Sequence, residues 1–219
     1  MRAYVITIKG LKPSETIAKR CIESAELVGI KVKSFPAFTP KDDPVARFKD
    51  RQLPLHNFVA DSEKYSRYEN VLSCFLSHYT LWQQCAAFNE EVMILEHDAV
   101  FTNSVPAFNY NKCITIGQPS YGKFNTPTGL GVQPLQHKPY FGGAHAYLLK
   151  PEGANELMEH AKIYAGPVDI FLSLKNFPWL QELYPWPVEC RDSFTTVQNE
   201  TGCLAKHNYK NRNFDIVSV

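Results

Sequence analysis

The apolar positions of this chain change period along its length, and the changes mark out the elements. Tyr4-Val5-Ile6-Thr7-Ile8 is a short, β-branched run with no polar face, which predicts a central strand. A Gly10/Pro13 turn follows it. Ile17, Cys21, Ala25 and Val28 then recur at helical spacing, with Gly29 closing that helix, and Ile30 to Phe35 supplies a second strand. This opening predicts an α/β fold with a mostly parallel central sheet flanked by helices. From Pro36 to Arg67 the periodicity fades and prolines stand at 36, 40, 44 and 54, which predicts a long excursion at the mouth of the sheet.

The strongest helix runs from about Asn70 to Phe88, with Val71, Cys74, Phe75, His78, Leu81, Trp82 and Cys85 on one face. It leads into Val92-Met93-Ile94-Leu95-Glu96-His97-Asp98, a buried-strand pattern that ends in two carboxylates. Cys113 to Ile116 reads as another short strand. Residues 117 to 143 hold six glycines and four prolines, which predicts an irregular substrate loop rather than helix or strand. Ala146 to Leu149 returns to strand, and Pro151 opens a helix to about Ile163. Gly166-Pro167 breaks the chain before Asp169, which is placed to cap a further helix.

At 219 residues the chain is long enough for one large domain with a full core, so residues 1 to 219 are read as a single domain. A net charge of +1, spread over 21% charged residues, gives no support to a nucleic-acid partner. Lys206 to Arg212 is the one basic patch, and a solvated tail is its ordinary reading. No apolar stretch approaches the roughly 20 residues that span a bilayer, and neither signal peptide nor anchor is visible. The six cysteines (21, 74, 85, 113, 190, 203) form no CxxC pair and sit mostly in apolar segments, which predicts buried thiols in a reducing, cytoplasmic setting.

Chemistry enters at Glu96 and Asp98. In α/β proteins ligands sit at the carboxyl ends of strands, and two residues apart on a continuing strand face the same way. Both carboxylates would then converge on one cation. No Lys or Arg occurs from Tyr68 to Asn111 to neutralise them, and close carboxylates raise each other's pKa unless a divalent ion removes the conflict. A plain turn after an edge strand is the competing reading.

Several blocks, in order, resemble glycosyltransferase family 25, the lipooligosaccharide and collagen galactosyltransferase-like enzymes. They are Cys74-Phe75-Leu76-Ser77-His78 with Trp82, Leu95-Glu96-His97-Asp98-Ala99, Gly143-Ala144-His145-Ala146-Tyr147 with Gly153-Ala154, Pro167-Val168-Asp169, and Asp192-Ser193-Phe194. Two departures stand out. The family usually has glutamate-aspartate-aspartate where this chain has Glu96-His97-Asp98, and Thr7-Ile8-Lys9 replaces an asparagine-leucine start followed by basic residues. The resemblance implies a GT-A-type nucleotide-binding domain of lipopolysaccharide biosynthesis that moves a hexose, galactose first, from a UDP-sugar to a carbohydrate acceptor with inversion. It further implies Mn²⁺ or Mg²⁺ held by Asp98 and Glu96, donor contacts from Ser77, His78, Glu96 and His145, and Asp169 as catalytic base.

Each role has a rival. Asp169 is equally an N-cap, His78 a buried core histidine, and His145 a structural hydrogen-bonding group. His97 either adds an imidazole ligand or points away, and His207 in the basic patch is placed to close over a diphosphate. Trp82, Phe171, Trp179 and Trp186 read as core, Tyr140 and Phe141 as aromatics for stacking on a sugar or base. Two other functions compete: a sugar-nucleotide or nucleotidyl transferase, for which Lys9-Gly10-Leu11-Lys12 is a poor phosphate loop, and a non-catalytic carbohydrate-binding or assembly protein, which His97 in the acidic motif keeps open.

Overall fold

The computed structural model describes residues 1–58, 66–191, 194–198 and 215–219. In chain order the elements are β1 (Arg2–Thr7), α1 (Lys12–Leu27), β2 (Val32–Pro36), α2 (Pro44–Asp50), α3 (Tyr68–Phe88), β3 (Val92–Glu96), β4 (Ala99–Phe101), β5 (Cys113–Thr115) and β6 (Gly131–Pro134). There follow β7 (Ala146–Leu149), α4 (Pro151–Ala161), α5 (Val168–Phe171), β8 (Gln181–Tyr184), β9 (Val188–Cys190), β10 (Phe194–Thr195) and β11 (Asp215–Ile216).

The main sheet has the order β2-β1-β3-β7-β5-β8-β6. Five of its seven strands run one way, while β7 and the edge strand β6 run against them. Successive side chains on a strand point to opposite faces, so the sheet feeds two cores. Val5, Met93 and Leu95 pack with Ala18, Cys21 and Ala25 of α1. Val92, Ile94, Tyr147 and Leu149 face the other way, onto Phe75, Leu81, Trp82 and Cys85 of α3. Helix α3 is held between this face, α2 and α4, and each large side chain it buries there contributes about 1.5–3 kcal/mol. Asn89 adopts φ 49°, a left-handed cap that ends α3 and turns the chain into β3.

Four expectations are corrected. Pro13 lies in the first turn of α1, where its missing N–H costs nothing, rather than in a turn before the helix. The excursion after Pro36 carries a short 3-10 turn at Pro40–Asp42 and the helix α2, whose Asp43 side chain accepts from the Ala46 N–H at 3.0 Å. Residues 117 to 143 are not wholly irregular, because β6 pairs antiparallel with β8 at the sheet edge. Asp169 is not an N-cap: Pro167 holds that position and Asp169 sits in the first turn of α5.

Candidate active site

Strands β1 and β3 end side by side, with Ile6 paired to Glu96. Beyond them lies a cleft of about 110 Å³, bounded by Ile6 and Ile8, by Phe38 and Thr39 after β2, by Ser73, Cys74, Ser77 and His78 on α3, and by Glu96 and His97. Sequence placed Cys74 in the core. The structure opens it to the cleft one helical turn before His78, a spacing visible in the sequence but indistinguishable there from an apolar stripe.

His78 is fully buried and works through a defined proton order. Trp82 Nε1 is a donor only and gives its hydrogen to the Tyr147 hydroxyl at 2.8 Å. That leaves the Tyr147 proton to go to His78 Nδ1 at 2.9 Å, and His78 Nε2 then donates to Glu96 Oε1 at 3.1 Å. The chain of bonds aims Glu96 and keeps it charged. Burial alone would raise the Glu96 pKa, but the His78 hydrogen bond and the fields of His78, His145 and His97 outweigh it and bring it below the usual carboxylate value. Cys74, His78 and Glu96 have potential ligand atoms within 4.8 Å of one another, and an ion bound there would displace the proton shared between His78 Nε2 and Glu96. Ser77 is buried, and its hydroxyl donates to the Ser73 carbonyl and accepts from the Phe38 N–H, both at 2.9 Å. It holds the cleft wall.

The strand does not continue past Glu96, so the two acids are separated by a turn at His97-Asp98 and not by the strand pleat. His97 Nδ1 meets Ser14 Oγ at 2.7 Å, and its ring packs on Phe194 at 5.4 Å. Asp98 is buried beneath the turn, where Cys190 Sγ donates to Oδ2 at 2.9 Å and Oδ1 has no partner among the described residues. Burial first, then the Glu96 charge, pushes its carboxyl up to about 7. His145 is also buried, with neither ring nitrogen hydrogen-bonded among the described residues, and burial lowers its pKa to about 4. Its ring fits only because Gly117 and Gly143 lack side chains, since a Cβ there would come within 2.4 and 2.8 Å of it.

Asp169 reaches the same region from α5. Its Oδ2 accepts from the Tyr121 hydroxyl and its Oδ1 from the Ile170 N–H at 2.9 Å. Burial raises its pKa, the Tyr121 bond opposes the rise, and the Glu96 charge adds to it. Tyr140 stacks on Tyr121 at 6.4 Å, but Phe141 is fully buried against Tyr147 and presents no face to a ligand. Trp82 and Phe171 are core, as expected. Asp192, Ser193 and the basic segment with His207 lie outside the described residues.

The sequence matches the family model described as glycosyltransferase family 25 (LPS biosynthesis protein) over residues 1–115, more than half of the 219. The chain belongs to glycosyltransferase family 25. As a member of that family it is a glycosyltransferase, and it has the α/β architecture expected of one, a mostly parallel sheet flanked by helices. The matched segment contains α3 and the acidic end of β3, whereas His145 and Asp169 lie beyond it. Among curated proteins, none matches the sequence. Solved structures similar to it include two transferases. Apo mouse xyloside xylosyltransferase 1 shares 13% identity with a TM-score of 0.41, over 82% of this chain and 83% of that one. CTP:phosphocholine cytidylyltransferase from Streptococcus pneumoniae shares 11% identity with a TM-score of 0.38, over 85% of this chain and 91% of that one. No described helix is long and apolar enough to cross a membrane.

Proposed function

We propose that this glycosyltransferase moves a hexose, galactose first, from a UDP-sugar to a carbohydrate acceptor with inversion at the anomeric carbon. The observation that carries this reading is that the Glu96 charge acts on both Asp98 and Asp169, which places the three carboxyl groups around one end of the sheet. Among the described residues none of the three is ion-paired to Lys or Arg. Such a site repels a diphosphate unless a cation intervenes.

The oxygen donors suit a hard divalent ion, while the set of three ligand-type side chains drawn within 4.8 Å of one another among the described residues is Cys74, His78 and Glu96. Asp98 Oδ1 is a buried carboxylate oxygen without a described partner, Glu96 is held charged near it in sequence, and the His145 ring nitrogens have no hydrogen-bond partner among the described residues, one of them being free to bind an ion. Asp98 and Glu96 would hold Mn²⁺ or Mg²⁺, with His145 as the neighbouring imidazole. When bound, such an ion offsets the charge of the leaving diphosphate. His78 orients Glu96, and Ser77 secures Phe38 at the wall where the nucleotide would lie. Asp169 acts as general base: its carboxylate takes the acceptor hydroxyl proton as that oxygen bonds the anomeric carbon and the bond to the diphosphate breaks. One displacement with one base inverts the centre.

Calorimetry of UDP binding with Mn²⁺ and with excess chelator tests the cation, and turnover tests the base. Wild type should bind UDP only with the ion, Asp98→Asn should lose that dependence, and Asp169→Asn should keep UDP affinity while losing turnover. Equal UDP affinity in chelator removes the cation from the reading, and normal turnover by Asp169→Asn removes the base.

A further inference from the structure

The glycine-rich segment brings three side chains to Asp169 from a distance in sequence. Tyr121 gives its proton to Asp169 Oδ2, and Tyr140 stacks on the Tyr121 ring with the planes 24° apart. The Lys138 ammonium lies over both rings, 4.6 Å from the Tyr121 centroid and 5.4 Å from that of Tyr140. Lys138 is itself buried, an unusual place for an ammonium, and among the described residues no carboxylate forms an ion pair with it. The backbone makes room for it: Gly122, at φ 65°, would carry a Cβ 3.0 Å from Nζ, and a Cβ on Gly142 would press on Cδ at 3.3 Å.

We propose that Tyr121 and Lys138 are positioning residues for the Asp169 carboxylate. The inference rests on Asp169 being the general base. A base must aim a lone pair at the acceptor hydroxyl, and a carboxylate held only by its own backbone rotates. Tyr121 fixes the plane of the carboxylate by occupying one direction on Oδ2 while the Ile170 N–H occupies one on Oδ1, leaving a free lone pair on each. Lys138 locks the tyrosine pair from its cation–π seat. Its charge also favours the ionised base, since the fields of Asp169 and Lys138 act on each other. Among the described residues the charged and titratable groups that interact with the carboxylate include Tyr121, Lys138, Glu96 and Cys74. Burial raises the Asp169 pKa and the Tyr121 bond opposes that rise, so removing the tyrosine raises it further, and loss of the Lys138 charge should act in the same sense.

The test uses the full chain with Mn²⁺ and UDP-galactose, reading UDP release to water as acceptor, UDP affinity by calorimetry, and the Asp169 carboxyl titration by carbon NMR. Tyr121→Phe and Lys138→Met should each lower kcat about tenfold or more at unchanged UDP affinity. Both should move the Asp169 titration, and the acid limb of kcat, to higher pH, and Lys138→Arg should restore much of the lysine effect. The proposal is overturned if both variants titrate and turn over like wild type, or if kcat falls only in step with UDP affinity. Should Tyr121→Phe fail to fold, the two Lys138 variants decide alone. Asp169→Asn separates the two readings: if it keeps turnover, the base assignment fails; if it is inactive while Tyr121→Phe and Lys138→Met are unchanged, only the positioning role fails.

Discussion

At the scale of single residues, the site depends on which proton each ring carries. The bonds from Trp82 through Tyr147 and His78 to Glu96 leave one consistent arrangement, because an indole nitrogen cannot accept and a buried hydroxyl must place its own hydrogen. Tyr147→Phe deletes the middle of that chain and leaves Trp82 Nε1 and His78 Nδ1 without their partner. It should cost about 1–3 kcal/mol in denaturant unfolding and weaken Mn²⁺-supported UDP binding about tenfold or more, because the carboxylate loses its fixed orientation. Unchanged UDP affinity by calorimetry would show that Glu96 is not aimed through this route. Of this chain, only His78 and Glu96 stood out in the sequence as donor-site candidates. Trp82 read there as core and Tyr147 as the end of a family-like block; both are core, and their hydrogen bonding is invisible to periodicity.

At the scale of elements, the glycine-rich segment is tied to the sheet by one buried carboxylate. Glu182, on β8, accepts from the backbone N–H groups of Gln136 and His137, from His137 Nδ1 at 2.8 Å and from Trp186 Nε1 at 3.2 Å. Burial alone would raise its pKa, but the His137 bond and field together with the Gln136 and His137 N–H bonds outweigh it, and the folded value is lowered. Glu182→Ala leaves these donors facing one another without an acceptor and should destabilise the fold by about 3–5 kcal/mol. The sign for pH follows from the lowered value. The contribution is complete above the unfolded carboxyl pKa of about 4.3 and fades as pH falls through the folded one, so the variant's acid unfolding should lack that component. A variant with wild-type unfolding across this range would mean that the segment is held by β6 pairing and Phe141 alone. Glycine and proline content correctly placed turns here, yet it hid β6, because a strand of four residues pairing with a distant edge needs no strong propensity of its own.

At the scale of the whole molecule, the cleft of about 110 Å³ is smaller than the roughly 300 Å³ that ligand pockets usually need, so a sugar nucleotide must widen it or close new walls over itself. The anchored half of the glycine-rich segment, with Leu135, His137, Lys138 and Phe141 buried, is a poor candidate for that movement. The exposed tip around residues 123–130, with Leu130 81% exposed, is the better one. Amide exchange with UDP and Mn²⁺ should therefore slow in 123–130 and change little in 135–143. Protection absent from the tip but present after Pro36 would assign the closing motion to that excursion instead.

Local pattern carried the opening strand-helix-strand, the long helix before β3, the direction of the sheet and the acids at its end, because these depend on the spacing of apolar residues over one or two turns of chain. The family blocks were legible for the same reason, being short and contiguous. What each acid meets was decided only by folding. Glu96 turns to His78, Asp98 to Cys190 across 92 positions, and Asp169 to Tyr121 across 48, because a turn at His97 ends the strand and the later strands bring distant segments to its edge. Side-chain period says which face a residue takes. The partner on that face comes from crossovers and packing, which no local window contains.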